Sequence, residues 1–214
     1  MRVLVGCEFS GIVRDAFIEK GFDAWSCDIL PTERPGPHLQ CDLLSVLDQE
    51  WDLGIFHPPC TYLTVAGARW FYHPEDKHLP YEERRPHPLY PNRRQQQEEA
   101  LIFVKKLMDA PIPHIAIENP ISVISSRIKK PDQIIQPWMF GHGETKKTCL
   151  WLKDLPLLEP TNIVEGRENN IHKMPPSPER WRERSRTFEG IGSAMGEQWG
   201  DYLYNLNNQN HIKF

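Results

Sequence analysis

The sequence predicts an α/β fold, a mostly parallel sheet with helices on both faces. Two observations carry this. Short apolar runs rich in β-branched residues alternate with helical patterns over the first half of the chain, as strands joined by crossover helices do. Polar residues and glycines also recur directly after those runs, at the carboxyl ends where open α/β sheets bind ligands.

Taken in order, Arg2 to Val5 reads as a strand ending at Gly6, and Ile12 to Lys20 as an amphipathic helix closed by Gly21. A second strand spans Asp23 to Cys27 and ends in the acid Asp28. A third ends near Asp42, and Asp52 to Phe56 makes a fourth that stops at His57-Pro58-Pro59-Cys60. Residues 61–94 break the pattern with five of the twenty prolines and an aperiodic set of aromatics: Trp70, Phe71, Tyr72, Tyr81 and Tyr90. A loop this long inside a compact domain is expected to be functional, closing over a substrate and mobile without it. A helix follows from about Asn92 to Asp109, with Leu101, Val104, Leu107 and Met108 on one face. The strand His114 to Ile117 then leads into Glu118-Asn119-Pro120. Thr148 to Leu152 is a further strand, and residues from about 155 to 186, rich in proline and charge, read as an irregular excursion. A last helix at about Ala194 to Leu206 presents Met195, Trp199, Tyr202, Leu203 and Leu206 to the core.

With 214 residues, the chain can bury one core but is too short for two ordinary domains plus linkers. One domain is therefore expected. Hydrophobic residues make up 39%, the value of a globular protein rather than a disordered one. No apolar run approaches the length of a membrane span and no leader pattern opens the sequence, so a cytoplasmic protein without membrane contact is expected. The five cysteines (Cys7, Cys27, Cys41, Cys60, Cys149) form no CxxC pair, which argues against a disulfide framework or a zinc site. A net charge of -4 gives no overall attraction to nucleic acid. Basic clusters do occur at Arg84-Arg85, Arg93-Arg94, Lys146-Lys147 and Arg180, Arg182, Arg184, Arg186. Each reads either as a phosphate contact or as a solvated face balanced by Glu82, Glu83, Glu179 and Glu183.

Five features fall at strand ends: the Gly6 to Gly11 turn, Asp28, Asp42, the HPPC turn and Glu118. A small turn after the first strand admits close approach of a ligand to backbone NH groups, and an acid after the second suits ribose hydroxyls, so the layout fits a nucleoside cofactor; it fits equally Gly6 and Gly11 as turn residues and Asp28 and Asp42 as caps. The two prolines before Cys60 stiffen the backbone and fix the next side chain in space. Glu118 follows the apolar run His114-Ile-Ala-Ile117, where a carboxylate is costly to bury without a partner.

These residues resemble the motifs of the cytosine-5 methyltransferases. The proline-cysteine turn after the fourth strand is at 58–60, and the acid motif after the next strand is Glu118-Asn119-Pro120. Gly6-Cys-Glu-Phe-Ser-Gly11 is similar to the family's cofactor loop, Asp28 to its ribose-binding acid and Asp42 to the acid that meets the adenine amine. Lys147 stands where the family has an arginine near the base, and Ile191-Gly-Ser-Ala194 resembles a late motif that returns to the cofactor pocket. The resemblance implies a Rossmann-like SAM-dependent methyltransferase fold and S-adenosyl-L-methionine (SAM) as cofactor. It implies a cofactor site of Gly6, Cys7, Glu8, Phe9, Ser10, Gly11, Asp28, Ile29, Asp42, Pro58, Ser193 and Ala194. Cys60, Glu118 and Lys147 are the implied catalytic residues, with Pro59, Thr61, Asn119, Pro120, Lys146, Arg93 and Arg94 on the substrate side and no metal.

The departures are specific. Thr61 replaces the usual glutamine, ENP replaces ENV, Lys147 replaces an arginine, and the family's recognition domain is reduced to residues 155–186, too few for an independent core. DNA cytosine is the default substrate that the resemblance implies. A free cytidine nucleotide or a single strand would avoid the cost of flipping a base from a duplex. A catalytically silent nucleic-acid-binding protein on the same fold is the reading of a different class.

Overall fold

The computed structural model describes residues 1–211, apart from the side chains of His172, Asn210 and His211. Strands β1 (Arg2–Gly6), β2 (Asp23–Asp28), β3 (His38–Gln40), β4 (Leu53–Phe56), β5 (His114–Pro120), β6 (Gln133–Ile135) and β7 (Thr148–Lys153) form one sheet in the order β3-β2-β1-β4-β5-β7-β6. The helices are α1 (Ile12–Glu19), α2 (Arg93–Met108), α3 (Ile124–Arg127), α4 (Asn170–Lys173), α5 (Arg180–Ser185), α6 (Glu189–Ala194) and α7 (Gly200–His211).

Alternation along β1 divides the core. Val3 and Val5 point to one face, with Phe17 of α1, Met195, Trp199 and Leu203. Leu4 points to the other, with Phe56, Ile117 and the buried face of α2, Leu101, Val104 and Leu107. Helices therefore cover both faces, as the near-continuous apolar strands require.

β1 to β5 pair in parallel. β7 departs from this. It runs antiparallel to both β5 and β6, filling the place between them. The chain crosses from β5 to β6 through α3, and returns to β7 through residues 136–147, which hold only the short turn Pro137–Met139. A turn connection of this kind reverses the chain, whereas a parallel neighbour would need a helical crossover. β6 and α3 are too short to leave a periodic signal, and the sequence reading contains neither.

Three further expectations are corrected. The third strand ends at Gln40, and Asp42 instead caps the turn Leu43–Ser45, accepting from the amide of Leu44 at 3.0 Å. The excursion at 155–186 is tied down: Asn162 and Glu168 pair with Phe140 and Glu144, and two short helices follow. The last helical run begins at Glu189 and not near Ala194, so Ile191 to Ala194 lies within a helix.

Candidate active site

The pairing of β4 with its neighbours stops at Phe56, opposite Gly6 on one side and Ile117 on the other. His57 makes one more bond, its amide donating to the Gly6 carbonyl at 2.9 Å, and the two prolines then carry the chain away from the sheet. The Cys60 carbonyl accepts from the amides of Leu63 and Thr64, so a tight turn starts directly at the cysteine. β5 continues three residues past its last pair with β4, held only by β7. Glu118 thus stands at the gap opened by the departing His57-Pro-Pro-Cys60 turn. The buried Asn119 locks the two motifs together, its amide nitrogen donating to the Pro58 carbonyl at 2.8 Å.

Burial pushes the Glu118 carboxyl up, but it is overcome. His57, with Nδ1 3.3 Å from Oε2, the charge of Lys146 and the Thr148 hydroxyl together hold it below the usual carboxylate range. Cys60 goes the other way: burial raises its thiol, the Glu118 charge raises it further, and Lys146 and Arg184 oppose them. These directions leave Cys60 a thiol and Glu118 a carboxylate at neutral pH.

The lysine that faces this pair is Lys146. Its charge acts on both Cys60 and Glu118, and it is half-buried, whereas Lys147 is exposed. Thr148, which opens β7, also hydrogen-bonds Glu118.

At the other strand ends, the Gly6 to Gly11 turn closes on itself. Glu8 is buried, and its carboxylate accepts from the amides of Val13 at 2.7 Å and Arg14 at 3.3 Å, and from the Ser10 hydroxyl. It caps α1 from within: burial raises its carboxyl, and the charge of His57 and the Val13 and Arg14 amides at the helix N-terminus oppose that rise. Cys7 has φ 56° and Gly11 φ 74°. A side chain at Gly11 would meet the guanidinium of Arg14, which is fully buried and bonds Ser26, Thr32 and the carbonyls of Arg34 and Pro35. Arg14 organises the segment after β2, and sequence reading missed it; a charged residue on the buried side of α1 was the available signal. Asp28 ends β2 and accepts from the Leu30 amide at 2.9 Å, with burial raising its carboxyl; the neighbouring Ile29 is 74% exposed. Phe9 is buried under Trp181 and Arg182 of α5. Of the late motif, Ser193 is exposed and Ala194 is a core residue packed with Phe17 and Trp199.

On the substrate side Pro59 and Thr61 are exposed and Pro120 is half-buried. Arg93 and Arg94 are committed to structure. Arg93 donates to the Thr61 carbonyl at 2.8 Å among the rings of Tyr62, Phe71 and Tyr90, and Arg94 holds the carbonyls of Phe71, Tyr81 and Arg84. With Asp76 and Arg85, they turn residues 61–94 into a packed annex of short turns.

Strand order 3-2-1-4-5-7-6 with a reversed β7 decides the fold. It is the Rossmann-like fold of SAM-dependent methyltransferases. No protein-family description and no curated protein matches the chain. Solved structures do. A prophage-encoded E. coli protein assigned as a DNA modification methyltransferase aligns at TM-score 0.42 and 14% identity, over 77% of this chain and 52% of that one. S. pombe Dnmt2 aligns at 0.44 and 14%, over 81% and 54%. A Spodoptera frugiperda DNMT2 variant aligns at 0.39 and 15%, over 82% and 60%. The chain spans little more than half the length of these proteins.

Proposed function

We propose that this chain transfers a methyl group from SAM to C5 of a cytosine base, with Cys60 as covalent nucleophile and DNA cytosine as the default substrate. The observation that carries the reading is the convergence of Cys60, the buried ionised Glu118 and Lys146 where β4 and β5 part.

The residues at the ends of β2 and β3 fit the cofactor. Asp28 and Asp42 offer carboxylate acceptors for hydroxyl and amine donors, and exposed Ile29 offers an apolar surface for a purine ring. When bound, SAM supplies an electrophilic methyl group.

Cytosine C5 is a weak nucleophile, and Cys60 changes that. Its sulfur bonds to C6, the C5=C6 electron pair moves to C5, and the thiol proton must leave. The resting protonation gives that proton a destination: Glu118, an ionised acceptor, takes it and holds it against N3 of the ring, neutralising the charge that develops there. In this reading Lys146, whose charge acts on both Cys60 and Glu118, serves the O2 carbonyl. After transfer a base removes the C5 proton, the S–C6 bond breaks, and the electron pair returns to sulfur.

A substrate carrying 5-fluorocytosine tests this. The methylated ring then has no C5 proton to lose, so the thioether persists. With SAM present, mass spectrometry should show protein plus fluorinated substrate plus one methyl, and Cys60→Ser should show none. Methyl transfer to ordinary cytosine without a trapped species, or trapping undiminished in Cys60→Ser, would remove Cys60 from the mechanism.

A further inference from the structure

The four arginines of the 180–186 segment divide by partner. Arg182 of α5 and Arg186, just past its end, both grip Glu33, at 2.6 Å and 2.8 Å. That pairing, with Arg182 over the Phe9 ring, fixes α5 across the Gly6 to Gly11 turn. Arg180 and Arg184, four apart within α5, line an open cavity of about 300 Å³ with Trp181, Pro176 and Ser177. The Arg184 carbonyl accepts from Lys146 Nζ at 3.0 Å, and the Arg184 charge reaches the Cys60 thiol. α5 is therefore tied through Arg182 to Glu33 and Phe9, and through Arg184 to Lys146 beside the candidate nucleophile.

Trp181 is 55% exposed although its indole lies 6.2 Å from the Phe9 ring, so one part of the ring is supported and the rest is presented to solvent. A large, partly exposed apolar ring beside guanidinium groups has the composition of a stacking platform for bases with a phosphate contact alongside. Nothing in the catalytic chemistry uses it.

We infer that Trp181 and Arg184 form a binding site for a single-stranded polynucleotide, Trp181 stacking on a base that neighbours the reacting cytosine and Arg184 contacting the intervening phosphate. The inference rests on the Cys60–Glu118 reading for its placement. It makes a strand, rather than a free nucleotide, the substrate this site takes. A strand also escapes the cost of base flipping, and the site concentrates positive charge locally on a chain whose net charge is -4.

The test is fluorescence anisotropy of the full chain with a labelled oligothymidylate carrying one central cytosine, as a single strand and as a duplex, over a range of salt, with thermal melts confirming folding. The single strand should bind more tightly than the duplex. Trp181→Ala should weaken single-strand binding about tenfold, Trp181→Phe should restore most of it, and Arg184→Gln should flatten the dependence of log affinity on log salt by about 0.7. Equal binding by wild type and Trp181→Ala, or no binding by the wild type, would overturn the inference. Methyl transfer to the same strand and to dCMP separates it from the catalytic reading. Binding through Trp181 without any methylation sinks the catalysis and leaves the site. Methylation with the same KM for the strand in wild type and Trp181→Ala sinks the site and leaves the catalysis.

Discussion

Nδ1 of His57 lies 3.3 Å from Oε2 of Glu118, and the two side chains are only 8% and 16% exposed. His57 also acts electrostatically on Glu8, the carboxylate that caps α1. Its Nε2 atom is buried and has no partner among the described residues. One imidazole thus stands between the acid of the turn after β1 and the acid of the candidate active site.

This arrangement predicts which His57 variants survive. An asparagine amide can replace Nδ1 as donor to Glu118, whereas alanine leaves a buried carboxylate with one partner fewer, a loss of about 2 kcal/mol or roughly thirtyfold in rate. In 5-fluorocytosine trapping kinetics, His57→Asn should stay within about fivefold of wild type and His57→Ala should fall about thirtyfold. Equal rates for the two variants would mean that the hydrogen bond does not orient Glu118.

Alkylation of Cys60 reads the charges around it. Because Glu118 raises the thiol and Lys146 lowers it, Glu118→Gln should increase the thiolate fraction and speed reaction with iodoacetamide at a fixed pH near 8, and Lys146→Met should slow it. Glu118→Gln should at the same time slow methyl transfer, since an amide cannot take up the thiol proton. Peptide mapping by mass spectrometry distinguishes Cys60 from Cys149, whose buried thiol is pushed up to about 11, again by burial first and Glu118 second. Parallel changes in alkylation and methyl transfer would contradict the assignment of the proton's destination.

Gly11 and Gly21 form a controlled pair for stability. Both have φ in the left-handed region, 74° and 86°, so alanine at either should cost about 1 kcal/mol in backbone strain. At Gly11 the added Cβ also lies 2.5 Å from Nη2 of buried Arg14, while at Gly21 it meets only the Tyr204 hydroxyl at 3.3 Å. Thermal or urea unfolding should show Gly11→Ala losing about 2 to 3 kcal/mol and Gly21→Ala about 1. Similar losses at the two positions would show that the Arg14 network adjusts without penalty.

The annex at 61–94 depends on Asp76, whose carboxylate accepts from the Arg85 amide at 2.8 Å and from its guanidinium at 2.7 Å, and is held well below the usual range by that arginine first. Asp76→Asn removes the charge and one acceptor. Limited proteolysis should then nick residues 72–90 faster, with cleavage elsewhere unchanged. The depressed carboxyl fixes the sign with pH: the tie is complete at neutral pH and weakens only as pH falls through the lowered value, so wild type should resist cleavage well below pH 5. Equal nicking rates for wild type and variant would show that other contacts suffice.

Local pattern alone determined much of this protein. The strand and helix alternation of the first 60 residues, the acid that ends β2, and the placement of Cys60 and Glu118 after strands follow from periodicities of 2 and 3.6 and from where proline and glycine interrupt them; that those two strands are neighbours is known from their pairing. The tertiary structure decided what each polar group does, because a side chain's partner is a matter of distance between elements far apart in sequence. Lys146 and Lys147 are adjacent and chemically identical, and only the folded structure makes one half-buried with its charge acting on Glu118 and leaves the other exposed. Arg93 and Arg94 read equally as phosphate contacts or as a solvated face, and only the structure shows the aromatic rings and loop carbonyls around them; Glu8 enters the reading as part of a loop, and only the structure shows it bonded to the amides of its own helix. The reversal of β7 has the same origin. Strand direction depends on which gap in the sheet remains for a short connection to fill, and no residue within Thr148–Lys153 encodes that gap.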